Sequence, residues 1–67
     1  MSNYGLTDRE LTVLNRIAAG EADKEIASDL AISVRTVSGH VGNVLAKMAA
    51  GCRTEAACRA IREGLIA

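Results

Sequence analysis

Residues 23–48 read DKEIASDLAISVRTVSGHVGNVLAKM, and their pattern decides the fold. Apolar residues recur there at steps of three and four, at positions 26, 27 and 30 and again at 34, 37, 41, 44, 45 and 48. This spacing is typical of helices that bury one face. Residues 31–33 lie between the two runs and are too few for anything except a tight turn. The sequence therefore predicts a short helix joined closely to a longer one.

Signals for helix ends extend this pattern to four helices. Thr7 and Glu10 have the spacing of a capping box, in which each side chain bonds the backbone amide of the other. Asp23 and Ser33 are placed as N-caps of the second and third helices. Three glycines lie where helices should stop, because glycine readily adopts the left-handed conformation of a helix end: Gly20, Gly51 and Gly64. With no proline and no convincing strand pattern, the predicted class is all-α.

Length and composition limit the possible functions. A chain of 67 residues is one domain, close to the lower size limit for a core that folds unaided. Its apolar residues are mostly small, and Tyr4 is the only aromatic residue, so we expect no deep small-molecule pocket and no cofactor. The sequence has neither a signal peptide nor an apolar run long enough to span a membrane, which predicts a cytoplasmic location and no membrane partner.

The chain also lacks the side-chain sets that catalysis or metal binding requires. Cys52 and Cys58 form no CxxC pair, and His40 is the only histidine, so we expect no metal site and interpret both cysteines as free thiols. No acid–base pair accompanies a nucleophile, and GHVG lies inside a helix pattern instead of forming a phosphate loop between a strand and a helix. An enzyme is therefore not expected.

Charge is unevenly distributed along this chain of zero net charge. Residues 1–29 carry three basic and six acidic side chains, whereas residues 30–54 carry three basic side chains and no acidic one. A locally basic segment is a modest indication of a nucleic-acid partner. By itself, such a segment is as typical of an ordinary solvated surface.

The short helix, turn and longer helix together have the form of a helix-turn-helix, whose second helix enters the DNA major groove. The outward face of that second helix would carry small and polar residues: Arg35, Ser38, Gly39, Gly42 and Ala46, flanked by Thr36, His40, Asn43 and Lys47. Glycine inside a helix costs roughly 0.5–1 kcal/mol relative to alanine. Gly39 and Gly42 weaken this helix on the face directed away from the core, which requires a functional explanation.

The chain resembles the LuxR-type (GerE-like) DNA-binding domain over about residues 5–66. The resemblance depends on four elements in combination: LT-x-RE, KEIA, L-x-IS-x-x-TV-x-x-H-x-x-N and RTEA. It implies a four-helix domain with a helix-turn-helix at about 23–42, a recognition helix at about 34–48 and a dimerisation helix at about 53–63. It further implies sequence-specific binding of double-stranded DNA by a bacterial transcriptional regulator that forms a homodimer on DNA and meets RNA polymerase.

The same resemblance implies roles for individual residues. Side chains expected at DNA phosphates are Lys24, Ser33, Thr36, Asn43 and Lys47. The positions where family members reach base edges are occupied here by Ser38, Gly39 and Gly42. Because glycine has no side chain, the residues left to read bases directly are Ser38, Arg35 and Asn43. Two departures from the family pattern are Asp23, where asparagine is favoured, and Cys52, where a capping serine is favoured. The fourth helix is expected to pair protomers through an apolar surface formed by Ala56, Ala57, Ala60 and Ile61.

Several alternatives stay open on the sequence alone. Gly39 and Gly42 either let the helix backbone approach DNA closely or mark a protein-docking surface on a scaffold that has lost base reading. His40 either contacts phosphate or packs against a neighbouring helix. Glu10 and Arg53 are expected to form an ion pair between the first and fourth helices. Both a complete small regulator and the C-terminal domain of a longer one fit the sequence, as do activation and repression.

Overall fold

The computed structural model describes residues 3–66, which form four α-helices and no strand. The helices are α1 (Asp8–Ala18), α2 (Asp23–Leu30), α3 (Val34–Met48) and α4 (Arg53–Arg62). The predicted all-α class is confirmed. The close connection between the second and third helices is confirmed as well.

Most of the predicted helix ends are set by the local interactions that the sequence indicated. The Thr7 hydroxyl accepts a hydrogen bond from the Glu10 amide at 3.1 Å, and the Thr7 amide donates to the Glu10 carboxylate at 2.9 Å. Ser33 caps α3, because its hydroxyl accepts a hydrogen bond from the Thr36 amide at 3.0 Å. Gly20 and Gly64 adopt positive φ angles of 88° and 75° just after α1 and α4. These four features match the predicted capping box, cap and terminators.

Two helix ends differ from the prediction. The N-cap of α2 is Ala22, whose amide donates to the Glu25 carboxylate at 2.8 Å, and Asp23 is the first helical residue instead of the cap. At the end of α3, Ala49 takes the left-handed conformation with φ 53°, so Gly51 is not the terminator. At both helix ends alanine occupies a position that another residue type favours more, aspartate at the N-cap and glycine at the left-handed residue.

The third helix is the centre of the packing, because it contacts each of the other three helices. Its N-terminal half packs on α1 and α2 in one apolar cluster, made of Val13, Ile26, Ala27, Val37 and Val41. Its C-terminal half packs in a second cluster with α1, α4 and the two ends of the chain, made of Leu6, Leu14, Val44, Met48, Ala56, Ala57, Ala60 and Ile66. Burying one face of α3 in this way leaves its opposite face uncovered.

The apolar stripe predicted for α3 is buried except at two of its residues. Leu45 is half-buried, and Val34, the first residue of the helix, is 48% exposed. Val34 lies outside the cluster that covers the N-terminal half of α3, so its predicted place in the core is wrong. No helix in the described part of the chain is both long and apolar enough to cross a membrane.

Candidate nucleic-acid interface

The turn between α2 and α3 has a defined backbone geometry. Ala31 adopts a left-handed conformation with φ 57°, and its amide donates to the carbonyl of Ser28 at 3.3 Å. The next amide, of Ile32, donates to the carbonyl of Ala27 at 3.0 Å. These bonds satisfy carbonyls at the end of α2 and direct the chain into the N-cap of α3. The two helices therefore have the connection of a helix-turn-helix.

The N-terminus of α3 is exposed together with its capping residues. The Ser33 hydroxyl lies 2.9 Å from the Thr36 hydroxyl and also accepts the Thr36 amide. Both side chains are exposed, as is the first turn of the helix that they cap. Amides at a helix N-terminus and the positive end of its dipole favour an anion. The structure thus brings together two of the predicted phosphate-contact residues at one exposed helix start.

The outward face of α3 is uncovered over its whole length. Its exposed members include every residue for which a base or groove contact was predicted: Arg35, Ser38, Gly39 and Gly42. Asn43 is exposed on the flank of this face, and His40 is half-buried. The half-burial of His40 is compatible with both predicted roles.

Gly39 and Gly42 are not required by the packing of the domain itself. A β-carbon added at either glycine would have no other atom within 4 Å, apart from the helix's own nearby backbone. Neither glycine has a positive φ angle. Alanine would therefore fit without strain and would favour the helix. The packing of the folded domain therefore gives no reason for glycine at either position.

Only some of the cations on α2 and α3 are free to meet an anion. Lys24 on α2 and Arg35 on α3 are exposed and form no ion pair among the described residues. Lys24 borders a shallow groove that also contains Glu21 and Asp29. Arg16 engages both of those carboxylates, at 3.1 and 2.8 Å, and so offsets part of the negative charge beside Lys24, to which Glu25 also contributes.

Lys47 has an intramolecular partner that the sequence did not indicate. Its ammonium group donates to the Glu10 carboxylate at 2.7 Å and to the carbonyl of Gly5 at 3.1 Å. The ammonium of Lys47 and the amide of Thr7 hold the pKa of Glu10 below its usual range, although burial acts in the opposite direction. Lys47 thus joins α3 to α1 and the N-terminal arm, which makes its ammonium less available for the predicted phosphate contact.

The predicted Glu10–Arg53 ion pair is wrong, because each of the two residues has another partner. Arg53 donates two hydrogen bonds to Asp23, at 2.6 and 3.2 Å, and thereby connects the start of α4 with the start of α2. This guanidinium lowers the pKa of the Asp23 carboxyl, against the smaller effect of burial. The negative charge that Asp23 brings to the first turn of α2 is consequently paired inside the domain.

The predicted pairing surface on α4 requires a correction. Ala56 and Ala60 have no exposed surface and Ala57 is only 7% exposed, because all three pack in the core against α1 and α3. Of the four predicted residues only Ile61 is exposed, to 49%. It borders a shallow groove of about 330 Å³ between α4 and the end of α1, to which the exposed Cys58 also contributes. The alanines make the core, so the accessible apolar surface is smaller than predicted.

The described residues contain no group of three or more His, Cys, Asp or Glu side chains arranged to hold a metal ion. Cys52 and Cys58 are free and exposed. What the structure does assemble is one uncovered helix face, an exposed helix start and two free cations. Ser33, Thr36 and Asn43 border this face and Lys24 is exposed on α2, whereas Lys47 is engaged with Glu10.

Comparison with known proteins identifies the family. The family model for bacterial regulatory proteins of the luxR family, GerE, matches residues 4–60. The chain is 50% identical over 62 residues to the uncharacterized transcriptional regulatory protein YhcZ of Bacillus subtilis, covering 92% of this chain and 29% of that protein. It is 44% identical over 66 residues to the transcriptional regulatory protein LiaR of the same organism, covering 98% and 31%.

A third relative is the response regulator protein VraR of Staphylococcus aureus, 43% identical over 61 residues, which are 91% of this chain and 29% of VraR. The chain therefore spans about a third of the length of these relatives or slightly less. The family match covers the helix-turn-helix and most of α4. This chain belongs to the luxR family of bacterial regulatory proteins, within its GerE helix-turn-helix domain.

Proposed function

We propose that residues 5–66 form a DNA-binding domain of a bacterial transcriptional regulator, with α3 lying in the major groove of double-stranded DNA. The observation that carries this proposal is the uncovered face of α3, where two glycines have open space around them. In a helix-turn-helix the N-terminal part of the second helix meets base edges, while the first helix crosses the backbone. A groove wall approaching that face would explain why side chains are absent at positions 39 and 42.

The contacts divide into two sets under this proposal. Phosphates would be bound from the flanks of the face by Lys24, Ser33, Thr36 and Asn43. Base edges and the groove floor would be met by Arg35, Ser38, Gly39 and Gly42, with His40 beside them. Arginine and serine hydrogen-bond base edges, whereas glycine adds no direct reading. Specificity would then depend in part on the shape of the DNA.

Binding to DNA should weaken with salt less steeply than the number of basic residues suggests. Two free cations, Lys24 at a phosphate and Arg35 in the groove, would each displace about one counterion from the DNA, which predicts a slope of log affinity against log salt of about −2 per protomer. Lys24→Ala should flatten this slope by about one unit and leave the preferred sequence unchanged. The measurement is fluorescence anisotropy with a duplex selected from a random pool, over about 50 to 200 mM salt.

Arg62→Ala is the matched control, because Arg62 is exposed at the end of α4 and forms no ion pair among the described residues. It removes the same charge from a helix for which no phosphate contact is proposed and should leave the slope unchanged. An unchanged slope in Lys24→Ala would remove Lys24 from the interface. Absence of binding to every duplex at low salt would contradict the proposal and favour the protein-docking alternative.

Two protomers are proposed to pair through the exposed part of α4, centred on Ile61. The accessible surface is small, so isolated domains should pair weakly and DNA with two half-sites should hold them together. The proposal places this assembly in the bacterial cytoplasm, where promoter DNA and RNA polymerase are present. It assigns the domain no catalytic step.

Ile61→Glu should weaken binding to a two-half-site operator by about tenfold and leave binding to a single half-site unchanged. A buried charge at the pairing surface would have no partner, whereas the contacts of each protomer with DNA would be intact. Asn15→Glu, which adds the same charge on the exposed side of α1, should affect neither duplex. Anisotropy titrations on both duplexes measure this, and equal losses on the two would place pairing elsewhere.

A further inference from the structure

Val34 is an exposed apolar side chain at a position where the fold does not need one. It is 48% exposed, and in the described part of the chain only Ile61 is another large hydrophobic residue with comparable exposure. The apolar cluster beneath the N-terminal half of α3 is complete without Val34. The core therefore gives no reason for valine at position 34.

The location of Val34 supplies a reason. It is the first residue of α3 and directly follows the capping Ser33. One turn later on the same side of the helix lies Ser38, which is exposed, since residues four apart are neighbours on a helix surface. N-terminal residues of the second helix in a helix-turn-helix are those that meet base edges. Val34 thus lies beside the part of α3 proposed to enter the groove.

The chemistry of this side chain selects one kind of base contact. Valine has no hydrogen-bonding group, and the C5-methyl of thymine is the apolar group that the major groove offers. The branched side chain has restricted rotamers in a helix, so little rotational freedom is lost when a contact forms. On α3 no other large hydrophobic residue has comparable exposure, because the others pack in the two apolar clusters.

We propose that Val34 is a specificity-determining residue that packs against the C5-methyl of a thymine in each half-site. This inference rests on the proposed function and adds to it a direct apolar reading of one base. Polar residues on the same face cannot make this distinction, because thymine and uracil present the same hydrogen-bonding groups. The methyl group alone separates the two bases.

The test combines Val34→Ala with replacement of thymine by deoxyuridine, which removes only the methyl group. A duplex selected with the wild-type domain is resynthesised with deoxyuridine at each thymine in turn, and affinities are measured by anisotropy. Wild-type affinity should fall about fourfold at one thymine of each half-site, the effect expected for one buried methyl-sized group. At that position, Val34→Ala should bind the thymine duplex and the deoxyuridine duplex with equal affinity.

Ile61→Ala is the control variant, because it truncates the other exposed large hydrophobic residue on a different helix. Because Ile61 lies at the proposed pairing surface, Ile61→Ala should weaken binding to the thymine and deoxyuridine duplexes by the same factor and so keep the wild-type difference between them. Thermal unfolding of Val34→Ala should match that of the wild type, since the truncated group is half exposed and alanine favours a helix. A folded Val34→Ala domain that keeps the full difference at every thymine would overturn this inference alone. Wild-type protein that binds no duplex would overturn the proposed function with it.

Discussion

Lys47→Met should lower the free energy of unfolding by about 2 kcal/mol near neutral pH, because it leaves a buried carboxylate without its cation. The Glu10 side chain is 5% exposed, and the Lys47 ammonium lies 2.7 Å from it. Methionine keeps most of the apolar stem of lysine, so the loss of stability measures the contribution of the ammonium charge and its hydrogen bonds. The figure is below that of a fully buried pair, since the Lys47 side chain is 35% exposed. Urea unfolding measures the difference.

The pH dependence of this loss identifies Glu10 as its source. In the wild type the pKa of Glu10 is lowered from the ordinary value of 4.5, so its contribution is present above that value and is lost as pH falls through the lower folded pKa. In Lys47→Met the Glu10 carboxylate keeps the Thr7 amide but loses its cation, so its pKa is higher than in the wild type and protonation relieves the unpaired charge. The stability gap between the two proteins should therefore close as pH falls below about 4.

Lys24→Met is the matched control, because Lys24 forms no ion pair among the described residues and should leave stability unchanged. In DNA binding the order of the two variants should be reversed, with the larger effect in Lys24→Met. Lys24→Met should flatten the salt dependence, whereas Lys47→Met, measured below its unfolding temperature, should keep the wild-type slope. A stability gap independent of pH would show that Glu10 does not depend on Lys47.

The fold was predictable from the sequence because its determinants are local. The capping box of Thr7 and Glu10, the cap at Ser33 and the glycine after α1 each act within a few residues, and each has a recognisable spacing. The errors at the ends of α2 and α3 arose where Ala22 and Ala49 adopt conformations that other residues favour more. Tertiary packing of the helices outweighs such preferences, which amount to about 1 kcal/mol.

The ion pairs were not predictable in the same way. Glu10 lies 37 positions from Lys47 in the sequence, and Asp23 lies 30 positions from Arg53. Which long side chain reaches which carboxylate depends on how the helices are placed relative to one another. The order of charges along the chain does not contain the distances between helices. Assignment of Glu10 to Arg53 failed for that reason, and the pairing of Glu10 with Lys47 was not foreseen.

The surface of α4 shows a different limit of sequence reasoning. Ala56, Ala57 and Ala60 are apolar at helical spacing, which predicts a buried stripe without saying whether the same chain or a second copy buries it. In the structure α1 and α3 cover these alanines. The opposite error occurred at Val34, which has the right spacing for the core but lies at the first residue of α3, where no neighbouring helix covers it.

The double substitution Gly39→Ala and Gly42→Ala should raise the free energy of unfolding by about 1–2 kcal/mol and weaken specific DNA binding at the same time. Stability should rise because alanine restricts the unfolded chain and favours a helix, and because the added methyl groups meet nothing inside the domain. Affinity should fall because those methyl groups would stand between the helix backbone and the groove. Thermal unfolding and anisotropy with the selected duplex measure the two effects on the same protein.

Gly20→Ala provides the contrast, since Gly20 has a φ angle of 88° and a β-carbon there is strained although no atom lies within 4 Å. It should lower stability by about 1–2 kcal/mol and leave the affinity of the folded domain unchanged. The two substitutions thus separate glycine used for its own backbone conformation from glycine used for the approach of a partner. If the double variant gains stability and keeps its full affinity for the selected duplex, positions 39 and 42 do not meet DNA. The open face of α3 would then have to be tested as a protein-docking surface.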